Sequence, residues 1–140
     1  MSRTFEDLRV GDELPESSRV VTRGDVRAYA DASGDHNPLH QDDEVARAAG
    51  FPRVIAHGML TMGHLASSVL AWTGEGSTLL RMRVTFRAPV LVGETIVAGG
   101  TVARLDPERR TATLDVWVKL ERDGAIHWPI RRSEAEVRLA

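Results

Sequence analysis

Residues 29–64 read YADASGDHNPLHQDDEVARAAGFPRVIAHGMLTMGH, and the rest of the chain is arranged around this stretch. Its first part, residues 34–40, places a carboxylate, an amide and an imidazole in one short loop. Its second part, His57-Gly58-Met59, opens the most apolar helical run in the sequence, which extends to Trp72. Because a helix that is apolar on every face is usually buried, we expect residues 59–72 to form the central buried helix.

The composition is that of an ordinary globular chain. Of its 140 residues, 42% are hydrophobic and 27% are charged, which indicates one domain, residues 1–140, with its own core. The net charge of −2 predicts no basic surface for nucleic acid or anionic lipid. The chain has no cysteine for disulfides, thiolate metal sites or nucleophilic catalysis. Without a signal-like or membrane-spanning segment, we expect a cytoplasmic protein.

Two short helices are predicted before the central one. Thr22 and Asp25 resemble a capping box, residues 23–32 have helical apolar spacing, and Gly34 suits a left-handed helix end. A second helix is expected from the acidic residues 42–44 to Gly50, and we interpret these acids as a solvated helix start rather than metal ligands. A short edge strand is predicted at residues 19–21.

Everything after the central helix has the pattern of a β-sheet. Alternating apolar and polar residues predict four strands, near residues 80–86, 95–105, 111–120 and 126–139. Asp123-Gly124 is typical of a hairpin, and Pro129 indicates an edge or a bulge in the last strand. Because the links between strands are short, the sheet should be antiparallel. The predicted fold is α+β, with a long antiparallel sheet wrapped around one helix.

The loop at residues 34–40 is a candidate catalytic site. Asp35 and His40 can meet only if the chain between them folds back, and Pro38 favours a defined turn there. Together they could hold a water molecule, one group removing its proton while the other delivers one. Asn37 suits fixing the loop or orienting that water. Gly-Asp and Asn-Pro are also common in plain turns, so spacing alone leaves a purely structural interpretation open.

The start of the central helix is the second candidate. A helix N-terminus presents unpaired N–H groups and a positive dipole end, and Gly58 lets a ligand approach that backbone. Such a site can polarise a carbonyl or stabilise an enolate-like oxyanion. We expect His57 to cap the helix or to form hydrogen bonds near the loop. His64 should be buried or at an interface, and His36 and His127 should be exposed.

The two parts together, residues 29–40 and Ala56–Met59, resemble the motif of MaoC-like (R)-specific enoyl-CoA hydratases and dehydratases. Residues 86–94, FRAPVLVGE, resemble that family's strand and turn, and the resemblance runs from Phe5 to the C-terminus. It implies a hotdog fold, a dimer joined edge to edge through its sheets, and acyl-thioester sites between protomers. The implied reaction is reversible syn addition of water to a trans-2-enoyl thioester, giving the (R)-3-hydroxyacyl thioester.

The resemblance also implies roles for individual residues. Asp35 and His40 would activate the water and handle its proton, Asn37 would support them, and the Gly58 amide would bind the thioester carbonyl. Further substrate contacts are expected from neighbouring residues, namely Tyr29, Pro38, His57, Met59 and Ser67. No metal or other cofactor is implied, because the substrate itself carries CoA or an acyl-carrier phosphopantetheine. Some family members have a helix serine where this chain has Ala66, and Ser67 and Ser68 should face elsewhere.

Other functions and assemblies remain open. The chain could be a non-catalytic acyl-thioester-binding module, or a thioesterase, although residues 59–72 lack the carboxylate that hotdog thioesterases typically use. It could also be one subunit of a heteromeric dehydratase acting on carrier-protein substrates. We expect a homodimer, with a higher oligomer or a heterodimer with another hotdog subunit as alternatives. Arginines 81, 83 and 87 could contact CoA phosphates or an acidic carrier protein, and a solvated strand face explains them equally well.

Overall fold

A computed structural model describes residues 2–140 as a five-stranded antiparallel sheet packed on one long helix. The strands are β1 (Glu13–Val20), β2 (Thr78–Arg83), β3 (Thr95–Asp106), β4 (Thr111–Arg122) and β5 (Ala125–Arg138). The helices are α1 (Arg23–Ser33), α2 (Asp43–Ala48) and α3 (Gly58–Thr73), with single 3₁₀ turns at Phe5–Asp7 and Pro38–His40. The strand order is β1-β3-β4-β5-β2, so β2 crosses over to pair with β5. The predicted α+β class and antiparallel sheet are confirmed.

The core lies between α3 and the sheet. Leu65, Val69 and Trp72 of α3 belong to one hydrophobic cluster with buried strand residues, among them Ile96 and Leu114. Burying a side chain of this size contributes roughly 1.5–3 kcal/mol, so the contact between helix and sheet is a main source of stability. Within residues 2–140, no helix combines the length and hydropathy that crossing a membrane requires.

The prediction that α3 is buried on every face is wrong for the single chain. Met59 is 53% exposed and Leu70 is 37% exposed, and Gly63 and Ser67 are exposed as well. Their spacing places these four residues along one side of the helix, opposite the core. The sheet covers only the other side. An apolar stripe on α3 is therefore left uncovered by the part of the chain that the structure describes.

Two strands differ from the predicted ones. β2 ends at Arg83, and Phe86 adds only an isolated bridge to Ile130, because the chain leaves the sheet before Pro89. β1 is an eight-residue edge strand rather than a three-residue one. Its pairing with β3 is irregular around Pro15, which interrupts the alternation that would have revealed it. The irregularity expected near Pro129 is confirmed by a register shift between β4 and β5.

Glu94 ties the loop after β2 to the end of β4. Its side chain is 8% exposed and pairs with Arg122 at two points, Nε–Oε2 at 2.7 Å and Nη2–Oε1 at 2.6 Å. The Leu91 N–H donates to Oε1 at 2.7 Å. Burial alone would raise the pKa of Glu94, but the hydrogen bonds from Arg122 and Leu91 outweigh burial and lower this pKa below its usual value.

We expect Glu94→Gln to reduce the free energy of unfolding by about 2–3 kcal/mol at neutral pH, because Arg122 loses its counter-charge. A lowered folded-state pKa stabilises the fold above the unfolded-state pKa, and this stabilisation is lost as pH falls through the folded-state pKa. The difference between variant and wild type should therefore shrink below about pH 5. Urea unfolding across that range measures it, with the exposed Glu121→Gln as control. A difference independent of pH would contradict this explanation.

Candidate active site

The loop after α1 is held in shape by its own polar side chains. α1 ends at Gly34, whose φ of 78° is left-handed and turns the chain away from the helix. Asp35 Oδ1 accepts the Asn37 N–H at 3.2 Å, and Asn37 Oδ1 accepts the Leu39 N–H at 3.1 Å. Pro38 occupies the first position of the 3₁₀ turn that follows. Asn37 and Pro38 thus shape the backbone between the two predicted acid–base residues.

Hydrogen bonds to backbone carbonyls define the tautomers of two histidines. His40 Nδ1 lies 2.7 Å from the Ile55 carbonyl oxygen, and His57 Nε2 lies 3.0 Å from that of Asp35. Because a carbonyl only accepts, each of these nitrogens carries a hydrogen. In the neutral rings, His40 Nε2 and His57 Nδ1 therefore have the free lone pairs. His40 is held with an unprotonated nitrogen available as a base.

The fold brings Asp35, His40 and His57 together. One nitrogen or carboxylate oxygen from each lies within 4.8 Å of the others. The His40 and His57 rings stack with centroids 3.8 Å apart and 26° between their planes, and the Tyr29 ring lies 4.7 Å from that of His57. His57 is only 2% exposed, and its Nδ1 has no hydrogen-bond partner among residues 2–140. The sequence prediction that His57 forms hydrogen bonds near the loop agrees with this geometry.

Two histidines and a carboxylate are also a common set of metal ligands. A metal ion binds a histidine through the lone pair in the plane of the ring. The stacked rings of His40 and His57, with centroids 3.8 Å apart and 26° between their planes, hold their in-plane lone pairs in two separate planes rather than in a common one. The arrangement therefore suits transfer of a proton through a shared water better than coordination of a metal ion.

The start of α3 is open to a ligand. His57 occupies the N-cap position but forms no side-chain capping bond, which corrects the alternative that it caps the helix. Thr22 and Asp42 do cap α1 and α2. The first N–H groups of α3, beginning at the exposed Gly58, are therefore available to an oxygen atom of a ligand. This N-terminus follows directly from His57, so it lies next to the Asp35–His40 pair.

The Phe86 ring packs against Gly58 on the side where a Cβ would project, a contact that the sequence analysis did not predict. A Cβ built on Gly58 would lie 3.1 Å from the Phe86 ring, whose residue is 48% exposed. Phe86 and Gly58 are far apart in the sequence, so this contact becomes visible only in the folded structure. Phe86 therefore joins the site residues.

A family model described as "MaoC like domain" matches residues 9–122. The chain belongs to the MaoC-like family. The 3-hydroxybutyryl-CoA dehydratase of Methylorubrum extorquens is 40% identical over 113 residues, 79% of this chain and 70% of the relative. The (R)-specific enoyl-CoA hydratase of Rhodospirillum rubrum is 32% identical over 135 residues, 91% of this chain and 92% of the relative.

Structural comparison gives the same family and confirms the hotdog fold. The (R)-hydratase from A. caviae involved in PHA biosynthesis superposes with a TM-score of 0.87 at 32% identity, covering 96% of this chain and 99% of the other. A structure described as a MaoC-like dehydratase superposes with a TM-score of 0.88 at 39% identity, covering 99% of this chain and 43% of the other. The resemblance found in residues 29–59 is thus confirmed over the whole fold.

The MaoC-like chain has a cavity of about 270 Å³ beside α3, which we call the α3 cavity. Three of the predicted substrate contacts, Tyr29, Met59 and Ser67, line it, whereas Pro38 and His57 do not. Other walls come from Leu60, Gly63 and His64, and from the Arg19–Asp25 ion pair of 2.8 Å. Ser67 therefore faces the cavity rather than away from it, while Ser68 donates to the His64 carbonyl.

The remaining histidines follow the predictions only in part. His36 is exposed, as expected. His64 is half-buried, with Nε2 lying 3.0 Å from the Ser17 carbonyl oxygen. His127 was expected to be exposed, and this is wrong: it is half-buried, because β5 pairs it with Leu120 next to Trp128.

Proposed function

We propose that this MaoC-like protein is a hydro-lyase that adds water reversibly to trans-2-enoyl thioesters, giving (R)-3-hydroxyacyl thioesters. The observation that carries the proposal is the meeting of Asp35 and His40 next to the uncapped start of α3. Water activation and carbonyl polarisation are the two requirements of this reaction, and these two features supply them. The names of the relatives, a 3-hydroxybutyryl-CoA dehydratase and an (R)-specific enoyl-CoA hydratase, support it.

The first step concerns the carbonyl. In the hydration direction, the thioester oxygen accepts a hydrogen bond from the Gly58 N–H at the positive end of α3. Electron density is drawn toward that oxygen, which leaves C3 of the enoyl group electrophilic. In other enzymes, one such donor contributes about 3–4 kcal/mol to the transition state.

The second step concerns the water. The Asp35 carboxylate and His40 Nε2 are both hydrogen-bond acceptors, so one water can donate a hydrogen to each and point its oxygen lone pair at C3. As the oxygen bonds to C3, one of the two groups takes a water proton. A proton is then delivered to C2 on the same face. The hydroxyl group of the water therefore ends on C3, and a proton ends on C2. The reaction is redox-neutral, and we propose that it needs neither metal nor cofactor.

The acyl group is proposed to enter the α3 cavity, past Met59 and toward Ser67. Purified protein mixed with crotonyl-CoA should remove the enoyl absorbance, and a longer trans-2-enoyl-CoA would report how much chain the cavity accepts. Release of free thiol without loss of the enoyl group would instead support a thioesterase. Ligand binding without turnover would support an acyl-thioester-binding module. The cytoplasmic location stays a prediction, which cell fractionation tests.

A homodimer is the assembly that we propose. The exposed stripe on α3 is apolar at Met59 and Leu70, and β2 has a free edge at the end of the sheet. Light scattering should give about twice the 15.4 kDa of one chain. Leu70→Arg should shift the protein toward monomer, because it places a charge in the stripe. A monomeric wild type, or copurification of a different hotdog subunit, would contradict the homodimer.

A further inference from the structure

His57 joins the two halves of the candidate site, although the proposed chemistry gives it no step. Its side chain contacts the loop that carries the water-activating pair, and its main chain leads directly into Gly58, the proposed donor to the thioester carbonyl. The residue is buried and does not line the α3 cavity. Because His57 has almost no surface to offer a substrate, any effect that it has on the reaction must pass through its neighbours.

The first of these neighbours is Asp35. His57 Nε2 donates a hydrogen bond to the Asp35 backbone carbonyl at 3.0 Å, between residues 22 positions apart in the sequence. The carboxylate that is proposed to bind the water belongs to the same residue, and His57 is also the N-cap of α3. This one bond therefore sets the distance between the water and the Gly58 amide. A displacement of about 1 Å between reacting groups can lower a rate about 100-fold, so this distance matters for catalysis.

The second neighbour is His40. Its ring is held at one edge by the hydrogen bond between Nδ1 and the Ile55 carbonyl, at 2.7 Å, and over one face by the His57 ring. The Tyr29 ring contacts His57 in turn, with the two planes tilted by 52°. A ring that is hydrogen-bonded at one atom and stacked on a face cannot turn without losing one of these contacts. Stacking on His57 thus helps to fix the direction of the His40 Nε2 lone pair.

Packing alone does not explain a histidine at position 57. Its Nδ1 is buried without a hydrogen-bond partner among residues 2–140, and an unpaired buried polar atom destabilises a fold. Nor does the side chain cap α3. A phenylalanine would fill similar space and keep an aromatic ring beside His40, with no unpaired nitrogen. It would lack only the Nε2–H that holds Asp35, so this N–H is the property that favours histidine here.

We propose that His57 is a positioning residue, which holds the Asp35–His40 pair at a fixed distance from the Gly58 amide, so that the bound water faces C3 of the enoyl group. The inference rests on the proposed hydratase function, because that function requires the water and the carbonyl to be held together. In this role His57 transfers no proton and touches no reacting atom. Loss of its N–H should slow the chemical step and leave binding of the thioester nearly unchanged.

His57→Phe is the variant that tests this role, because it keeps an aromatic ring and removes the hydrogen bond to Asp35. It should lower kcat for crotonyl-CoA about tenfold or more, with little change in KM. Its melting temperature should equal or exceed that of the wild type, because the unpaired Nδ1 is removed as well. His57→Gln offers an amide N–H in place of the Nε2–H and should recover part of the lost rate.

The matched control is His127→Gln. His127 is a half-buried histidine on β5, outside both the α3 cavity and the Asp35–His40–His57 cluster. The His127→Gln variant should hydrate crotonyl-CoA at the wild-type rate. Circular dichroism would verify that each variant is folded, and rates are expressed per folded molecule.

A multiple-mutant comparison separates positioning from direct chemistry. In the Asp35→Asn/His40→Ala background, the groups that His57 positions are already lost, so the addition of His57→Phe should lower kcat no further. A further tenfold loss in that background would mean that His57 acts on the water or the thioester itself, and would overturn the positioning role.

Hydrogen exchange of the loop amides tests the inference without a substrate. The N–H groups of Asn37, Leu39 and His40 form hydrogen bonds within the loop. Measured by NMR, they should exchange about tenfold faster in His57→Phe than in the wild type, and at the wild-type rate in His127→Gln. Unchanged exchange in His57→Phe, or a wild-type kcat, would overturn the inference while hydration continued. A wild type that hydrates no thioester, with loop exchange that still depends on His57, would reject the hydratase function alone.

Discussion

Asp35→Asn and His40→Ala should each lower kcat/KM for crotonyl-CoA by about 100-fold or more. In the Asp35 variant, the amide keeps an Oδ1 that can accept the Asn37 N–H, so the loop should retain its shape. What is lost is the charge and one acceptor for the attacking water. In the His40 variant, the Nε2 lone pair disappears, together with the hydrogen bond to the Ile55 carbonyl. The loss should appear mainly in kcat, because both groups act on the water rather than on the thioester.

The control for this pair is His36→Gln, in the same loop. His36 is exposed, and its Nδ1 lies 3.2 Å from Nε2 of Gln41. The hydration rate of the His36→Gln variant should match that of the wild type. If the double variant at Asp35 and His40 lost the product of the two single effects, the residues would act independently, whereas one shared water predicts a combined loss close to either single loss. Retention of most activity in the Asp35 variant would contradict the mechanism.

The features that follow from local sequence were predictable. The alternation in β4, the Asp123-Gly124 turn and the left-handed Gly34 each depend on residues adjacent in the chain. β1 was largely missed because it is an edge strand with mostly exposed residues, and Pro15 interrupts its pattern. The exposure of one side of α3 was unpredictable for another reason. An apolar stripe that contacts a second chain has the same sequence pattern as one that faces the core.

The candidate site likewise has features that local sequence predicts and features that depend on tertiary packing. Asp35, Asn37 and His40 lie in one loop, and Gly58 begins a helix, so their residue types and spacing identified them. The contacts between them depend on tertiary packing. His40 stacks on His57, and Phe86 packs against the Cβ side of Gly58, across segments far apart in the sequence. A period-two pattern assigns Arg131 and Arg132 to opposite faces of β5, whereas Arg132 has a φ of 53° and both side chains line the same groove.

Gly100→Ala should be the most destabilising of the glycine substitutions in the sheet. Gly100 lies in β3, between β1 and β4, and a Cβ there would lie 2.5 Å from the Asp115 carbonyl oxygen. Because that oxygen belongs to the backbone of a paired strand, relief requires β3 and β4 to separate locally. We expect a loss of about 3 kcal/mol in the free energy of unfolding, at the upper end of the usual cost of overpacking. Chemical denaturation monitored by tryptophan fluorescence would measure it.

The adjacent Gly99→Ala is the matched comparison, because it adds the same methyl group to the same strand. Its Cβ would clash with the Trp117 ring, but that ring is a half-buried side chain and can rotate away. The cost should therefore be about 1 kcal/mol, partly offset by the lower entropy of alanine in the unfolded chain. Equal losses for the two variants would show that the β3–β4 backbone yields as easily as a side chain. Neither Gly99 nor Gly100 lines the α3 cavity or belongs to the Asp35–His40–His57 cluster, so the folded fraction of either variant should retain wild-type hydration per molecule, which separates stability from catalysis.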